Sequence, residues 1–175
     1  MARRSLAYTP VDFAVLGAVA VIFGALFTPW WTIYYAAKAL GGPAVARALT
    51  YGLWFMAAPL AASLIRKPLS ALGGELLASI VETILPNPGG FTNIIYGLAQ
   101  GLASEAVYAI GGYRHYGPIS AALAGAVAAA PAVALDALLF GDIYPADVMA
   151  LLFIAAFVSG AIYGIVAYAV SRAVR

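Results

Sequence analysis

The segment ADVMALLFIAAFVSGAIYGIVAYAVS, residues 146–171, carries a single charge, Asp147, at its start and is uncharged from there to Ser171. A helix rises 1.5 Å per residue, so crossing a hydrocarbon core of about 30 Å takes about 20 residues. The stretch is therefore read as a transmembrane helix. The same reading, carried outward, places helices near Val11 to Thr28, Arg47 to Ile65, Leu69 to Leu85, Asn93 to Gly111 and Pro118 to Phe140. Proline and glycine punctuate every gap: Thr28-Pro29, Gly41-Gly42-Pro43, Lys67-Pro68, Pro86 to Gly90, Gly117-Pro118 and Gly141-Asp142. With 65% apolar residues, 9% charged and a mean hydropathy of +0.97, the composition is not that of a soluble domain. The expected fold is an all-α integral membrane protein of six transmembrane helices, one transmembrane domain over residues 1–175.

Lys and Arg beside short loops are retained on the cytoplasmic face. With the N-terminus inside, the inner connections hold Arg3, Arg4, Arg66, Lys67, Arg114, Arg172 and Arg175, and the outer ones only Lys38 and Arg47. Both termini are thus expected in the cytoplasm, in a multi-pass protein of the cell membrane. Arg3-Arg4 ahead of an apolar run, with Ala18-Val19-Ala20 as a cut site, imitates a secretory signal. The run continues to Phe27, however, and supplies a full span. No strong internal repeat is present, which disfavours inverted-repeat carriers. Cysteine is absent and His115 is the only histidine, so neither a metal site nor a cofactor is expected. A net charge of +2 gives no reason to expect a nucleic-acid partner.

A carboxylate near the bilayer centre costs on the order of 3 kcal/mol, so each intramembrane acid needs a partner, a cavity or a task. Glu75 and Glu82, Glu105 and Asp136 are the four. Asp12, at the inner edge of the first helix, reads as a first-turn carboxylate. Glu75 and Glu82 share one stripe of the third helix, roughly 10 Å apart along its axis. Asn93, Tyr96, Gln100 and Ser104 form a polar stripe on the fourth, starting at the outer surface. Glu105 lies about 140° around the helix from Gln100, which leaves it either a ligand contact or a hydrogen-bonded group in a helix interface. Asp136, about one turn from the outer end of the fifth helix, suits a snorkelling or capping role as well as a functional one.

The outer connection after the first helix reads Pro29-Trp30-Trp31-Thr32-Ile33-Tyr34-Tyr35, with Gly41-Gly42-Pro43 behind it. Such aromatics form interfacial belts, and at this density they also suit a lid over an aromatic ligand. Tyr51 and Trp54 extend the same wall. Small residues four apart, Ala14/Ala18, Gly97/Gly101 and Gly160/Gly164, mark faces for close helix packing.

Six short helices with both ends inside, the Ala14/Ala18 pair and an aromatic first outer connection together resemble the S components of energy-coupling factor (ECF) transporters. The likeness is to the YkoE-type branch, associated with thiamin and its hydroxymethylpyrimidine precursor. It is carried by Ile65-Arg66-Lys67-Pro68, Gly74-Glu75-Leu76-Leu77-Ala78, Val81-Glu82, Tyr96 to Glu105 and Tyr113-Arg114-His115-Tyr116. The resemblance implies a vitamin-binding membrane subunit, not an enzyme, whose partners are a transmembrane coupling subunit and two ATPase subunits. It implies that Ala14 and Ala18 meet the coupling subunit. The Pro86 to Gly90 connection departs from the pattern by its proline content.

The candidate ligand contacts are Glu82, Gln100, Glu75, Glu105, Trp54, Trp30, Trp31, Tyr34, Asn93 and Tyr96. A carboxylate and an amide meet the ring nitrogen and exocyclic amine of an aminopyrimidine with paired hydrogen bonds, and a thiazolium cation suits aromatic faces and carboxylates. Alternatives are an S component for another vitamin, such as riboflavin or biotin, a scaffold subunit, or a stand-alone carrier using the acids as a relay. An intramembrane enzyme lacks a nucleophile paired with a base, and no phosphate-binding Gly-rich loop is present for ATP hydrolysis.

Overall fold

A computed structural model describes residues 7–174. Arg3, Arg4 and Arg175 of the cation tally lie outside these residues. The elements are α1 (Pro10–Trp54), α2 (Ala57–Ile65), α3 (Ser70–Ile84), α4 (Thr92–Ile110), α5 (Pro118–Val127), α6 (Ala129–Phe140) and α7 (Ala146–Ala173). Among the described residues, three stretches are long and apolar enough to cross a membrane: Pro10–Ile65 (56 residues), Pro118–Phe140 (23) and Ala146–Ala173 (28). By contrast α3, with 15 residues, reaches only about 22 Å.

The first stretch is folded back on itself. Gly42, at φ 79° and ψ 178°, breaks the helix in a conformation that suits a residue without Cβ. In a straight helix Trp30 and Thr50 would stand about 30 Å apart. Instead the Trp30 indole donates to the Thr50 carbonyl at 2.9 Å, so residues 10–41 and 43–54 run antiparallel.

This corrects the expected first boundary. The helix does not end at Thr28 but continues through Pro29 to the reversal, so the aromatic segment is helical rather than a loop. Two other breaks have proline as their cause. A proline ring collides with the carbonyl four residues earlier, and Pro59 and Pro131 place that collision at Phe55 and Val127, where α1 and α5 stop. The expected second and fifth helices are each divided there.

The interior is apolar, with Leu16, Val19, Phe23 and Phe27 of α1 against Leu60 and Ile65 of α2 and Ala78 of α3. The exterior is apolar too: Val21, Ile22, Ile154 and Val158 are all more than half exposed, as in a protein solvated by lipid. The small-residue pairs on α4 and α7 pack as expected. A Cβ on Gly97 would lie 2.0 Å from Ser79 Oγ of α3, and one on Gly160 2.2 Å from the Gly125 carbonyl of α5. Ala14 and Ala18, in contrast, are exposed.

Side chains tie the connections into two ends. Lys67 reaches Asp12 at 2.6 Å and the Ala7 carbonyl at 2.7 Å, while Tyr8 donates to the Pro68 carbonyl at 2.9 Å. Asp12 also closes a capping box with Thr9, the first-turn role expected of it. At the far end, Arg47 after the Gly42 reversal joins Asp142 beyond α6.

Candidate functional site

A cavity of about 280 Å³ opens at that far end, among α1, α3, α4 and α6. Its aromatic wall comes from the folded-back α1. Trp31 lies 5.5 Å edge-on from Tyr34 on its own helix and 5.1 Å from Trp54, a pair 23 positions apart that meets only because the chain reverses at Gly42. Phe27 and Tyr51 continue the wall.

The polar side comes from α3 and α4. Glu75 and Glu82 both line the cavity, as their shared stripe predicts, and so do Asn93, Tyr96 and Gln100. Glu82 accepts from the Trp31 indole at 2.8 Å. Glu75, 1% exposed, accepts the Ala58 N–H at 2.8 Å, one of the N–H groups that the Pro59 break leaves open at the start of α2. Each carboxylate therefore has one oxygen still available. Gln100, 5% exposed, has no side-chain partner among the described residues. Asn93 instead donates to Asn87 at 2.8 Å. Asn87 also accepts from the N–H groups of Gly89 and Gly90 and thereby shapes the proline-rich connection at the rim.

Two expected contacts lie elsewhere. Trp30 is turned to the Thr50 carbonyl. Glu105 caps α3 from the opposite end, accepting from Leu69 at 2.6 Å, Ala71 at 2.9 Å and Leu72 at 3.1 Å. Those N–H groups have no intrahelical acceptor, and Leu69 is held at φ 66°. Glu105 is the interface group of the two readings, not a cavity group. The 140° offset from Gln100 already separated them.

The sequence reading missed the cluster at the cavity rim. Arg47 contacts Asp136 at 2.5 Å and Asp142 at 2.6 Å, and lies over the rings of Tyr34 and Phe140 at 5.8 and 5.6 Å. Tyr96 donates to Asp136 at 2.5 Å, and Tyr51 donates to its other oxygen. The signal was available: Arg47 and Asp136 carry opposite charges at the same outer level of two helices. Arg47 is thus matched by Asp136 and Asp142, and among the described residues no cation pairs with Glu75 or Glu82.

An apolar helical bundle that opens a polar, aromatic-walled cavity at one end has the build of a membrane protein that binds a small solute. The family described as "ABC-type cobalt transport system, permease component" matches residues 11–131, and the chain belongs to it. The chain is also similar to a protein of Bacillus subtilis (strain 168) named "Putative HMP/thiamine permease protein YkoE", 31% identical over 105 residues, 60% of this chain. That match spans about half of the relative, 52% of its length. A solved S-component of an ECF transporter superposes with a TM-score of 0.91 at 26% identity, covering 96% of this chain and 86% of the other. Fold and family are those of a transporter component, not of an enzyme.

Proposed function

We propose that this chain is the substrate-binding S component of an ECF-type importer, taking up thiamin or its hydroxymethylpyrimidine precursor. The observation that carries the reading is a set of polar groups with hydrogen-bonding capacity left, one oxygen each of Glu75 and Glu82 and the amide of Gln100, lining one cavity together with Trp31, Tyr34 and Trp54. Buried polar groups without partners are costly, and a ligand with matching donors and acceptors relieves them. An aminopyrimidine meets a carboxylate and an amide with paired hydrogen bonds. A thiazolium meets the unneutralised carboxylates and the indole faces. The name of the B. subtilis relative points the same way.

Cobalt, named in the family's description, is served less well. The lining supplies carboxylates and amides but neither imidazole nor thiolate, and His115 lies at the other end of the bundle. In this reading the chain crosses the cell membrane six times with both termini cytoplasmic, and residues 10–41 and 43–65 are separate crossings. A transmembrane coupling subunit and two ATPase subunits are its partners. The test is mass spectrometry of the small molecule that co-purifies with the detergent-solubilised chain, followed by titration calorimetry. Thiamin or hydroxymethylpyrimidine is expected, bound in a one-to-one complex. Uptake by the chain alone in liposomes, without ATPase partners, would establish a self-sufficient carrier instead.

A further inference from the structure

A second depression lies at the end of the bundle opposite the cavity. It is an open groove of about 710 Å³ between the end of α4, the 111–117 connection and α5, lined among others by Ile110, Arg114, His115, Ile119, Ser120 and Leu123. Its walls are apolar and face outward, with Ile110 89% and Ile119 76% exposed. It extends along α5 to Val127, roughly 14 Å at helical rise. Tyr116, buried and stacked on Tyr108 at 5.2 Å, makes its back firm.

The mouth of the groove is positive and unspent. Arg114 and His115 are exposed and have no carboxylate partner among the described residues, whereas Lys67 at the same end is matched by Asp12. Beside them α5 starts at Pro118 with no side-chain cap, while Gly117 offers only hydrogen to the helix end. The N–H groups of Ile119 and Ser120 therefore remain open, at the positive end of the helix dipole.

We propose that this groove holds an anionic phospholipid, with one acyl chain along α4 and α5 and the phosphate between Arg114, His115 and the α5 N-terminus. Apolar walls alone accept any lipid. Arg114 makes the choice, because a zwitterionic headgroup would bring its own ammonium against it, and basic pockets between membrane helices select anionic headgroups.

The test uses the purified full chain in detergent, with phosphatidylglycerol or phosphatidylcholine added, read by thermal unfolding and by native mass spectrometry of retained lipid. The wild-type chain is expected to retain phosphatidylglycerol and to unfold at higher temperature with it than with phosphatidylcholine. The R114A/H115A variant should retain it roughly tenfold more weakly, and R172A, which removes a cation from the same end on α7, should behave as wild type. Equal response to the two lipids, unchanged retention in R114A/H115A, or an equal loss in R172A would overturn the site. So would a stabilisation reproduced by inorganic phosphate without lipid.

Discussion

At the residue scale, the four intramembrane acids separate by what they touch. Glu82 and Gln100 have capacity left for a ligand, so Glu82→Gln and Gln100→Ala should each weaken thiamin or hydroxymethylpyrimidine binding at least tenfold in titration calorimetry. Losing one partner of a buried charge-assisted bond costs about 2 to 5 kcal/mol. Asp12→Asn, at the other end, should leave affinity unchanged. If both cavity variants bind normally, the ligand lies elsewhere. Glu105 is spent on three backbone N–H groups of α3. Glu105→Ala should lower stability by about 2 to 3 kcal/mol, seen as an earlier thermal transition, with ligand affinity retained. An affinity loss without destabilisation would contradict the capping role.

At the scale of elements, the segment after the Gly42 reversal and the end of α6 meet at the cavity rim through Arg47. Asp136 is the most deeply placed partner, with 3% of its side chain exposed against 18% for Asp142. Removing the cation strands a buried carboxylate, so Arg47→Ala should destabilise by about 3 kcal/mol or more, whereas Asp142→Ala should cost less. The double variant Arg47→Ala/Asp136→Asn should recover part of the loss, and a double-mutant cycle on unfolding free energies measures the coupling. Strictly additive costs would show that the pair contributes no coupling. What was legible in the sequence follows the same division. The shared stripe of Glu75 and Glu82 and the polar face of α4 follow from helical periodicity, and the cavity uses both. The boundary after Thr28 was misplaced because Pro29 looks like a stop. A proline inside a helix costs one hydrogen bond and some strain, and the surrounding packing of Phe27, Trp31 and Tyr34 outweighs that cost. The Arg47 cluster joins residues some 90 positions apart, 47 with 136 and 142, which no local pattern reports.

At the scale of the whole molecule, the bundle has a cavity end and an end where Asp12, Lys67 and Glu105 lock the connections. Reporter fusions at Lys38, Pro88 and Asp142 should all read outside the cell, since Arg66, Lys67, Arg114 and Arg172 gather at the other end against only Lys38 and Arg47 at the cavity end. An inside signal at Pro88 would remove the proposed orientation. In the proposed importer the face of α1 that carries Ala14 and Ala18 is the one that meets the coupling subunit. Both residues are exposed, and a Cβ added at Gly17 between them would meet nothing within 4 Å. They are not buried in the chain's own packing, and a surface of such small side chains leaves room for close approach by another helix. Ala18 is 13 positions before Trp31, roughly 20 Å along the helix, so a bulky residue on this face does not reach the cavity. Ala14→Trp/Ala18→Trp should abolish uptake by the assembled importer while calorimetric ligand affinity stays within about twofold of wild type. Normal uptake would show that the coupling subunit binds another face. Loss of binding together with uptake would show that these positions support the fold after all.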